Sequence, residues 1–261
     1  MEPDAARVTA VPPTRKVRLD QVLVTRGLAQ SRDRARALVL AGSVSVDGRP
    51  MTKAGTLIDE TAEIALRQPD HPWVGRGGIK MAHALNVFDL KVDGINALDI
   101  GASTGGFTDV LLQRGAARVL ALDVGHNQLD WRLRSDPRVV CMEGVNARYL
   151  RPEALPEDLR SFSLVTIDVS FISLSQILPV VPALLEPHGK VVVLVKPQFE
   201  AGRAEVGAGG IIKDRAVQDR AVERVKTAGV QVGLEPVALE PSPVTGAEGN
   251  REFLLLLARP S

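Results

Sequence analysis

Two lysines and two carboxylates stand where the surrounding pattern calls for apolar residues or for the tip of a strand. Lys80 follows Arg76-Gly77-Gly78-Ile79 at the start of a helical stretch. Asp168 ends the apolar run Leu164-Val165-Thr166-Ile167, and Lys196 ends Val191-Val192-Val193-Leu194-Val195. Glu252 opens a last run, Phe253-Leu254-Leu255-Leu256-Leu257. Pro197 keeps the chain extended through Lys196. In a doubly wound sheet the carboxyl ends of the strands face one crevice, so Asp168 and Lys196 are expected there together. An antiparallel final strand would bring Glu252 to the same edge. Two ammoniums and two carboxylates make a neutral network, in which each buried charge has a partner. A like-charged neighbour and partial desolvation lower a lysine's pKa, while carboxylates oppose that shift. Such a lysine can accept a proton or orient a hydroxyl. Taken singly, each of the four is equally well read as a salt-bridged strand end.

The elements that must position these groups start at Asn96. Ala97-Leu98-Asp99-Ile100 meets the small-residue turn Gly101-Ala102-Ser103-Thr104-Gly105-Gly106; Phe107 then leads an amphipathic helix, and a second apolar run ends in Asp123. This is strand, tight turn, helix, strand, with a carboxylate at the tip placed to hold a ribose diol. Nucleotide-like cofactors sit at the carboxyl ends of such strands, and glycines let a ligand approach the backbone where a Cβ would clash. The spacing is not the G-x-G-x-x-G that faces a pyrophosphate. It is D-x-G-x-x-x-G, which resembles the first motif of the class I methyltransferases that bind S-adenosylmethionine. That cofactor has no phosphate, and Asp99 near its cationic amino acid end suits it better than NAD. A glycine turn in an ordinary α/β unit remains the plainer reading of this motif alone, and a nicotinamide oxidoreductase is disfavoured by the spacing.

Composition bounds the setting. The 261 residues suffice for one large and one small domain. Aromatic residues make up only 3%, so the core must be aliphatic. Cys141 is the single cysteine, which excludes an internal disulfide and a thiolate metal cluster. His71, His83, His126 and His188 are scattered without ligand spacing, so no metal is expected. No apolar leader is evident, and no run approaches the ~18 apolar residues of a membrane helix. A cytoplasmic protein is expected. The net charge is +1, but it is uneven: Thr14 to Lys53 holds nine Lys/Arg against three acids. A basic module tethered to a near-neutral one suggests a polyanionic partner for the first.

Four segments follow: a tail over 1–15 containing Pro3, Pro12 and Pro13, a compact unit over 16–66, a linker over 67–75, and a large domain over 76–261. In the compact unit, Leu19, Val22, Leu23 and Val24 mark a short helix ended by Gly27. Ser31 is placed to cap a second helix bearing Ala35, Leu38 and Val39, which Gly42 ends. Val44-Ser45-Val46-Asp47-Gly48 predicts a hairpin, and a further strand is expected over 62–66. Trp73 reads as an anchor at the domain junction. In the large domain, strands are expected at 95–100, 118–123, 138–142, 162–168, 190–196, about 234–240 and 252–258, with helices at about 77–88, 105–114, 173–186 and 214–229. The alternation predicts an α/β, mostly parallel, doubly wound Rossmann-like sheet. The glycine-rich segment from Glu200 to Asp214, with Arg203 and Lys213, reads either as a lid over a substrate or as a surface loop.

Arg18-Leu19-Asp20-x-x-Leu23, Ser31-Arg32 and Gly42-x-Val44-x-Val46-Asp47-Gly48 resemble a ribosomal-protein-type (S4-like) RNA-binding module over the whole of 16–66. The resemblance implies that its helices present arginines to structured RNA. Lys16, Arg18, Arg32, Arg34, Arg36, Arg49 and, beyond the module, Arg76 are the expected contacts, acting chiefly on phosphates. Lys80, Asp168, Lys196 and Glu252 resemble the Lys-Asp-Lys-Glu tetrad of RNA ribose 2′-O-methyltransferases of the RrmJ/FtsJ type. The strings GRGGIK (75–80), DIGASTGGFTDVLLQRGA, DVSFISL, LVKPQFEAGR, the Gly207–Gly210 run and GNREF resemble the TlyA family, over about 16–258. Departures are small: Gly75 stands where serine is common, and His71-Pro72-Trp73 is idiosyncratic. Membership would imply S-adenosylmethionine-dependent 2′-O-methylation of cytidine in small- or large-subunit ribosomal RNA. In that reading Lys196 orients and deprotonates the hydroxyl, Asp168 steers it and touches the methionine end, and Lys80 and Glu252 fix the nucleotide. Gly101 to Phe107 line the cofactor turn, Asp123 holds the ribose and Asn146 faces the adenine. An RNA-binding assembly factor with an idle core is the rival. A membrane-inserting haemolysin, a label some family members carry, is disfavoured by the lack of a long apolar segment.

Overall fold

Hydrophobic periodicity in the chain switches from short helical repeats before residue 66 to alternating strands and helices after it, and the structure divides accordingly. The computed structural model describes residues 15–40, 42–66, 71–202, 205–246 and 249–260. The expected tail, apart from Arg15, and residues 67–70 of the expected linker lie outside the described residues, as does Arg203. Two compact units meet in sequence between Pro72 and Trp73.

In the first unit, β1 (Lys16–Arg18) leads into α1 (Leu19–Thr25), followed by α2 (Arg32–Leu40), β2 (Val44–Val46), β3 (Arg49–Pro50), β4 (Leu57–Asp59) and β5 (Ile64–Leu66). The Ser31 hydroxyl accepts the Arg34 amide N–H at 3.1 Å and starts α2. Asp47 and Gly48 are both left-handed, at φ 48° and 74°. That is what a two-residue hairpin turn between β2 and β3 requires. Leu19, Leu23, Ala35, Val39 and Val44 form the core. Strands β1 and β4 pair antiparallel.

The second unit contains α3 (Gly77–Val87), β6 (Asn96–Ile100), α4 (Gly106–Gln113), β7 (Arg118–Asp123), α5 (Trp131–Arg134), β8 (Val139–Glu143), β9 (Phe162–Ile167), β10 (Leu185–Val195), α6 (Pro197–Glu200), α7 (Arg215–Gln231), β11 (Glu235–Pro241) and β12 (Phe253–Ala258). Its seven strands lie in the order β11-β12-β10-β9-β6-β7-β8. From β8 to β10 all are parallel. Strand β12 runs antiparallel between β10 and β11. The strand order reverses between β6 and β9, where a crevice opens at the carboxyl ends. Successive side chains alternate faces. Val191, Val193 and Val195 join Leu98 and Ile100 in one core, while Val192 and Leu194 join Ala97 in the other. Met81 of α3 and Val110 of α4 cover the second face; Val222 and Val225 of α7 cover the first.

Two expectations are corrected. The segment 173–186 is not an α-helix: it forms 3-10 turns at Leu174–Gln176 and Leu178–Leu184 and then enters β10. Pro179 and Pro182 lack the N–H that an α-helix needs there. Residues 73–75 belong to the second unit rather than to a linker. Trp73 packs there so tightly over Gly78 that a Cβ on Gly78 would meet its ring carbon Cγ at 2.2 Å. The Val74 amide donates to Asp109 Oδ2 at 2.8 Å.

Candidate active site

The ladder of β10 with β12 pairs Val195 with Phe253, so the next residues, Lys196 and Glu252, leave the sheet at the same edge. Parallel pairing of β9 with β10 brings Asp168 there too. The four ionisable residues form two ion pairs: Lys196 Nζ to Asp168 Oδ1 at 2.6 Å, and Lys80 Nζ to Glu252 Oε2 at 2.5 Å. Lys80, Lys196 and Glu252 are buried, at 8%, 9% and 4% exposure, yet all three line one cavity of about 720 Å³ together with Arg76, Ser170 and Phe171. The Lys196 amine spends a hydrogen bond on Ser170 Oγ, at 2.9 Å. Asp168 Oδ1 is buried and, although at ion-pair distance from that amine, has no hydrogen-bond donor aligned on it among the described residues.

Two smaller cavities adjoin through shared walls. One, of about 190 Å³, is lined by Gly101, Ala102, Ser103, Thr104, Gly106 and Phe107, and by Asp168 and Lys196. The other, of about 390 Å³, runs past Asp123 and Asn146 and has apolar walls at Val145, Ile172 and Ile177. A polar small end with Asp168 in its wall and a larger end with apolar walls and a carboxylate fit S-adenosylmethionine: amino acid at one end, nucleoside at the other. Asp123 Oδ2 accepts the Ser103 amide at 2.8 Å and Oδ1 accepts Gly125 at 2.7 Å. Each oxygen keeps acceptor capacity for a ribose hydroxyl. Asn146 Oδ1 accepts the Arg148 amide at 3.0 Å, which turns the chain after β8 beneath the apolar walls.

Asp99 is placed differently from the sequence reading. It is fully buried, away from the cavity wall. One oxygen accepts the Thr108 amide and hydroxyl at 3.1 and 2.7 Å, and the other the Thr166 hydroxyl at 2.9 Å. Burial pushes its carboxyl up to about 6, against the pull of the Thr108 and Thr166 hydrogen bonds. It braces β6 against α4 and β9 from inside. The glycines, too, serve the protein's own packing. A Cβ on Gly101, at φ 83°, would lie 2.4 Å from the Asp168 carbonyl oxygen, and one on Gly106 would lie 2.7 Å from the Gly78 nitrogen. Gly105, left-handed at φ 97°, precedes α4 without lining either cavity.

Several residues escaped the sequence reading. Ser170, Phe171, Gln198 and Phe199 line the large cavity. Phe171 is 92% exposed at φ 64°, with its ring centroid 5.2 Å from that of Phe199. A large aromatic three residues after a strand-tip acid was the available signal. Glu143, at the tip of β8, accepts the amides of Asn127, Gln128 and Leu129 and the Arg134 guanidinium. Arg134 first, then the amides, holds its carboxyl at about 2. The segment from Glu200 to Asp214 is moored along its length. Glu205 pairs with Arg220 and Arg224, and Asn250 accepts the Ile212 amide and donates to the Gly210 carbonyl.

In the first unit, Asp20 is fully buried and gathers three guanidiniums. Arg18 binds it in bidentate fashion at 3.0 and 2.9 Å, Arg32 reaches it at 3.1 Å and Arg36 at 3.5 Å. The Arg18 hydrogen bond, foremost, holds the Asp20 carboxyl far below the usual carboxylate range. The three arginines stay about half exposed. Lys16 and Arg49 are exposed, Arg34 lies 3.5 Å from the His71 ring, and Arg76 belongs to the second unit, on the cavity wall beside Lys80.

A sheet of this order, with a glycine turn after β6 and a carboxylate ending β7, defines the class of α/β methyltransferases. The FtsJ-like methyltransferase family model matches residues 73–259, and the S4 domain model matches residues 17–64. Over 93% of this chain and 90% of the relative, the sequence is 46% identical to a Mycobacterium tuberculosis protein named 16S/23S rRNA (cytidine-2′-O)-methyltransferase TlyA. It is 40% identical to Hemolysin A of Brachyspira hyodysenteriae, covering 91% of this chain and 98% of that one. A solved structure of a candidate hemolysin from Streptococcus thermophilus superposes with a TM-score of 0.74 at 44% identity, covering 95% of this chain and 90% of that one. The chain belongs to the TlyA family of FtsJ-like methyltransferases. Among the described residues, no helix is long and apolar enough to cross a membrane.

Proposed function

We propose that this chain transfers the methyl group of S-adenosylmethionine to the ribose 2′-hydroxyl of a cytidine in ribosomal RNA, 16S, 23S or both, in the cytoplasm. The carrying observation is the Lys196 amine. It is buried, flanked by Asp168 and Ser170, and lies on the wall between the small cofactor cavity and the large open one. When bound, S-adenosylmethionine supplies an electrophilic methyl group. The turn from Gly101 to Phe107 and Asp168 would hold its amino acid end, and Asp123 and Asn146 its nucleoside. Lys196, in its neutral amine form after giving its own proton to solvent, then holds the ribose hydroxyl oxygen in line and takes its proton, while Asp168 and Ser170 fix the amine. Holding reactants in an attack geometry supplies much of such a rate. Lys80 and Glu252 neutralise each other at the cavity wall and keep Arg76 company as nucleotide contacts. The arginines gathered by Asp20, with Lys16, Arg34 and Arg49, contribute phosphate contacts.

Incubation of the full chain with tritiated S-adenosylmethionine and ribosomal subunits tests this reading. Label is expected on 2′-O-methylcytidine after nuclease digestion. Lys196→Ala should lower transfer by at least about 100-fold and leave cofactor affinity by calorimetry within a few-fold. Label on a base, or full activity in Lys196→Ala, would overturn it.

A further inference from the structure

Two loops carry the groups proposed to handle the hydroxyl. The loop after β9 bears Asp168, Ser170 and Phe171; the turn after β10 bears Lys196, Gln198 and Phe199. They meet in successive contacts. Lys196 faces Asp168 and Ser170, Phe199 packs on Phe171, and Glu200 closes the series. Glu200 Oε2 accepts the Ser173 hydroxyl at 2.6 Å and Oε1 accepts the Leu174 amide at 2.8 Å. Its own carbonyl accepts Arg224 Nη1 at 2.8 Å, so α7 holds the same point. Burial raises the Glu200 carboxyl above its ordinary range, with the Leu174 and Ser173 hydrogen bonds opposing that shift. A carboxylate is therefore kept in an unfavourable place by two directed bonds.

The local geometry says why that bond pair matters. Only the short α6 separates Lys196 from Glu200, and the Phe199 amide donates to the Lys196 carbonyl at 2.9 Å. Fixing Glu200 therefore fixes Lys196. On the other loop, Phe171 sits in the left-handed region, which a bulky side chain avoids unless its neighbours hold it. The loop is pinned upstream, where the Asp168 amide donates to Ile100 at 2.9 Å. Downstream of Phe171, Ile172 and Leu174 pack in the core, and the polar pins to the turn after β10 are the two Glu200 bonds. We infer that Glu200 is a positioning residue for methyl transfer: by clamping Ser173 and Leu174 to the turn after β10, it sets the Lys196 amine against Asp168 and Ser170. It touches no reacting atom. The inference rests on Lys196 acting as proposed above.

The test uses the full chain carrying Glu200→Ala, Glu200→Gln or Glu200→Asp, each checked for a native circular dichroism spectrum. Two readouts are taken. One is kcat and KM for ribosomal subunits. The other is the rate of Lys196 labelling by fluorodinitrobenzene across pH, which needs no turnover. Glu200→Ala is expected to lower kcat about 10- to 100-fold, since misplacing a reacting group by about an ångström costs that much, with a smaller change in KM. Its Lys196 amine should label several-fold faster. Glu200→Gln should retain most activity, because its amide still meets Leu174 and Ser173. Should Glu200→Ala fail to fold, Glu200→Asp, whose shorter arm withdraws from Leu174, carries the same expectations. A folded Ala or Asp variant with wild-type kcat and wild-type labelling overturns the inference, as does a loss confined to KM. A wild-type chain that methylated nothing would instead sink the function, and the labelling comparison would still decide Glu200.

Discussion

Asp99 shows how a residue can be found for one reason and kept for another. Its distance from Gly101 in sequence marks a cofactor turn, yet its carboxylate is spent on Thr108 and Thr166 inside the protein. A folded-state value of about 6 lies above the unfolded value of about 3.9. The folded protein thus binds the proton more tightly between those two values. Its Asp99 contribution to stability is largest in acid and declines as pH rises through about 4 to 6, by at most about 3 kcal/mol. Glu143 has the opposite sign: with its value depressed to about 2, its contribution is present above the ordinary carboxylate range and is lost as pH falls towards 2. Denaturant melts of wild type and Asp99→Asn across pH 4 to 7 (a window set by about these pKa values) separate the two, since Glu143 and the other acids titrate alike in both proteins. The wild type should gain on the variant as pH falls from about 6 to about 4. A stability gap that did not change with pH would refute the assignment.

At the scale of elements, the sequence is legible where periodicity is long and local chemistry decides. The apolar runs ending in Asp123, Asp168 and Lys196 become β7, β9 and β10, and the Asp47-Gly48 turn forms as its dipeptide demands. Strands β1 and β4, three residues each, are too short for a period to register. Leu174–Leu184 carries a helix-like apolar pattern that its prolines defeat. The pairing of Lys80 with Glu252 depends on the β10–β12 register, which no local signal specifies, and Ser170 and Glu200 act through contacts between loops distant in sequence. The glycine turn was visible, but its cause was not. Gly106 is needed because the start of α3, at Gly77 and Gly78, lies against it backbone to backbone. Relief there cannot come from a flexible side chain. Gly106→Ala is expected to cost about 1–3 kcal/mol in denaturant unfolding, the usual range for overpacking. It should also lower methyl transfer, because α3 carries Lys80. A variant with an unchanged unfolding midpoint would show that the contact is soft.

For the whole molecule, a net charge of +1 conceals a division of labour, and Asp20 shows that the basic unit is more than a charge count. An acid in a run of arginines reads from sequence as a partial offset. Folded, it is the buried point on which Arg18, Arg32 and Arg36 converge, so three like charges are held together with donors still facing solvent. Diffuse attraction and a preorganised cluster then differ in sign. If RNA bound only through net charge, Asp20→Asn, which adds one positive charge, would tighten binding. If the guanidiniums must be aimed, the same change loosens them and weakens binding. We expect weaker binding of ribosomal RNA fragments by the full-length Asp20→Asn chain, checked for native circular dichroism, in titrations over a salt series. Arg32→Ala with Arg36→Ala should lower the slope of log K against log salt by about 1.4 to 1.8, one released counterion for each lost phosphate contact. Tighter binding by Asp20→Asn, or an unchanged slope in the double variant, would return the unit to a featureless basic surface.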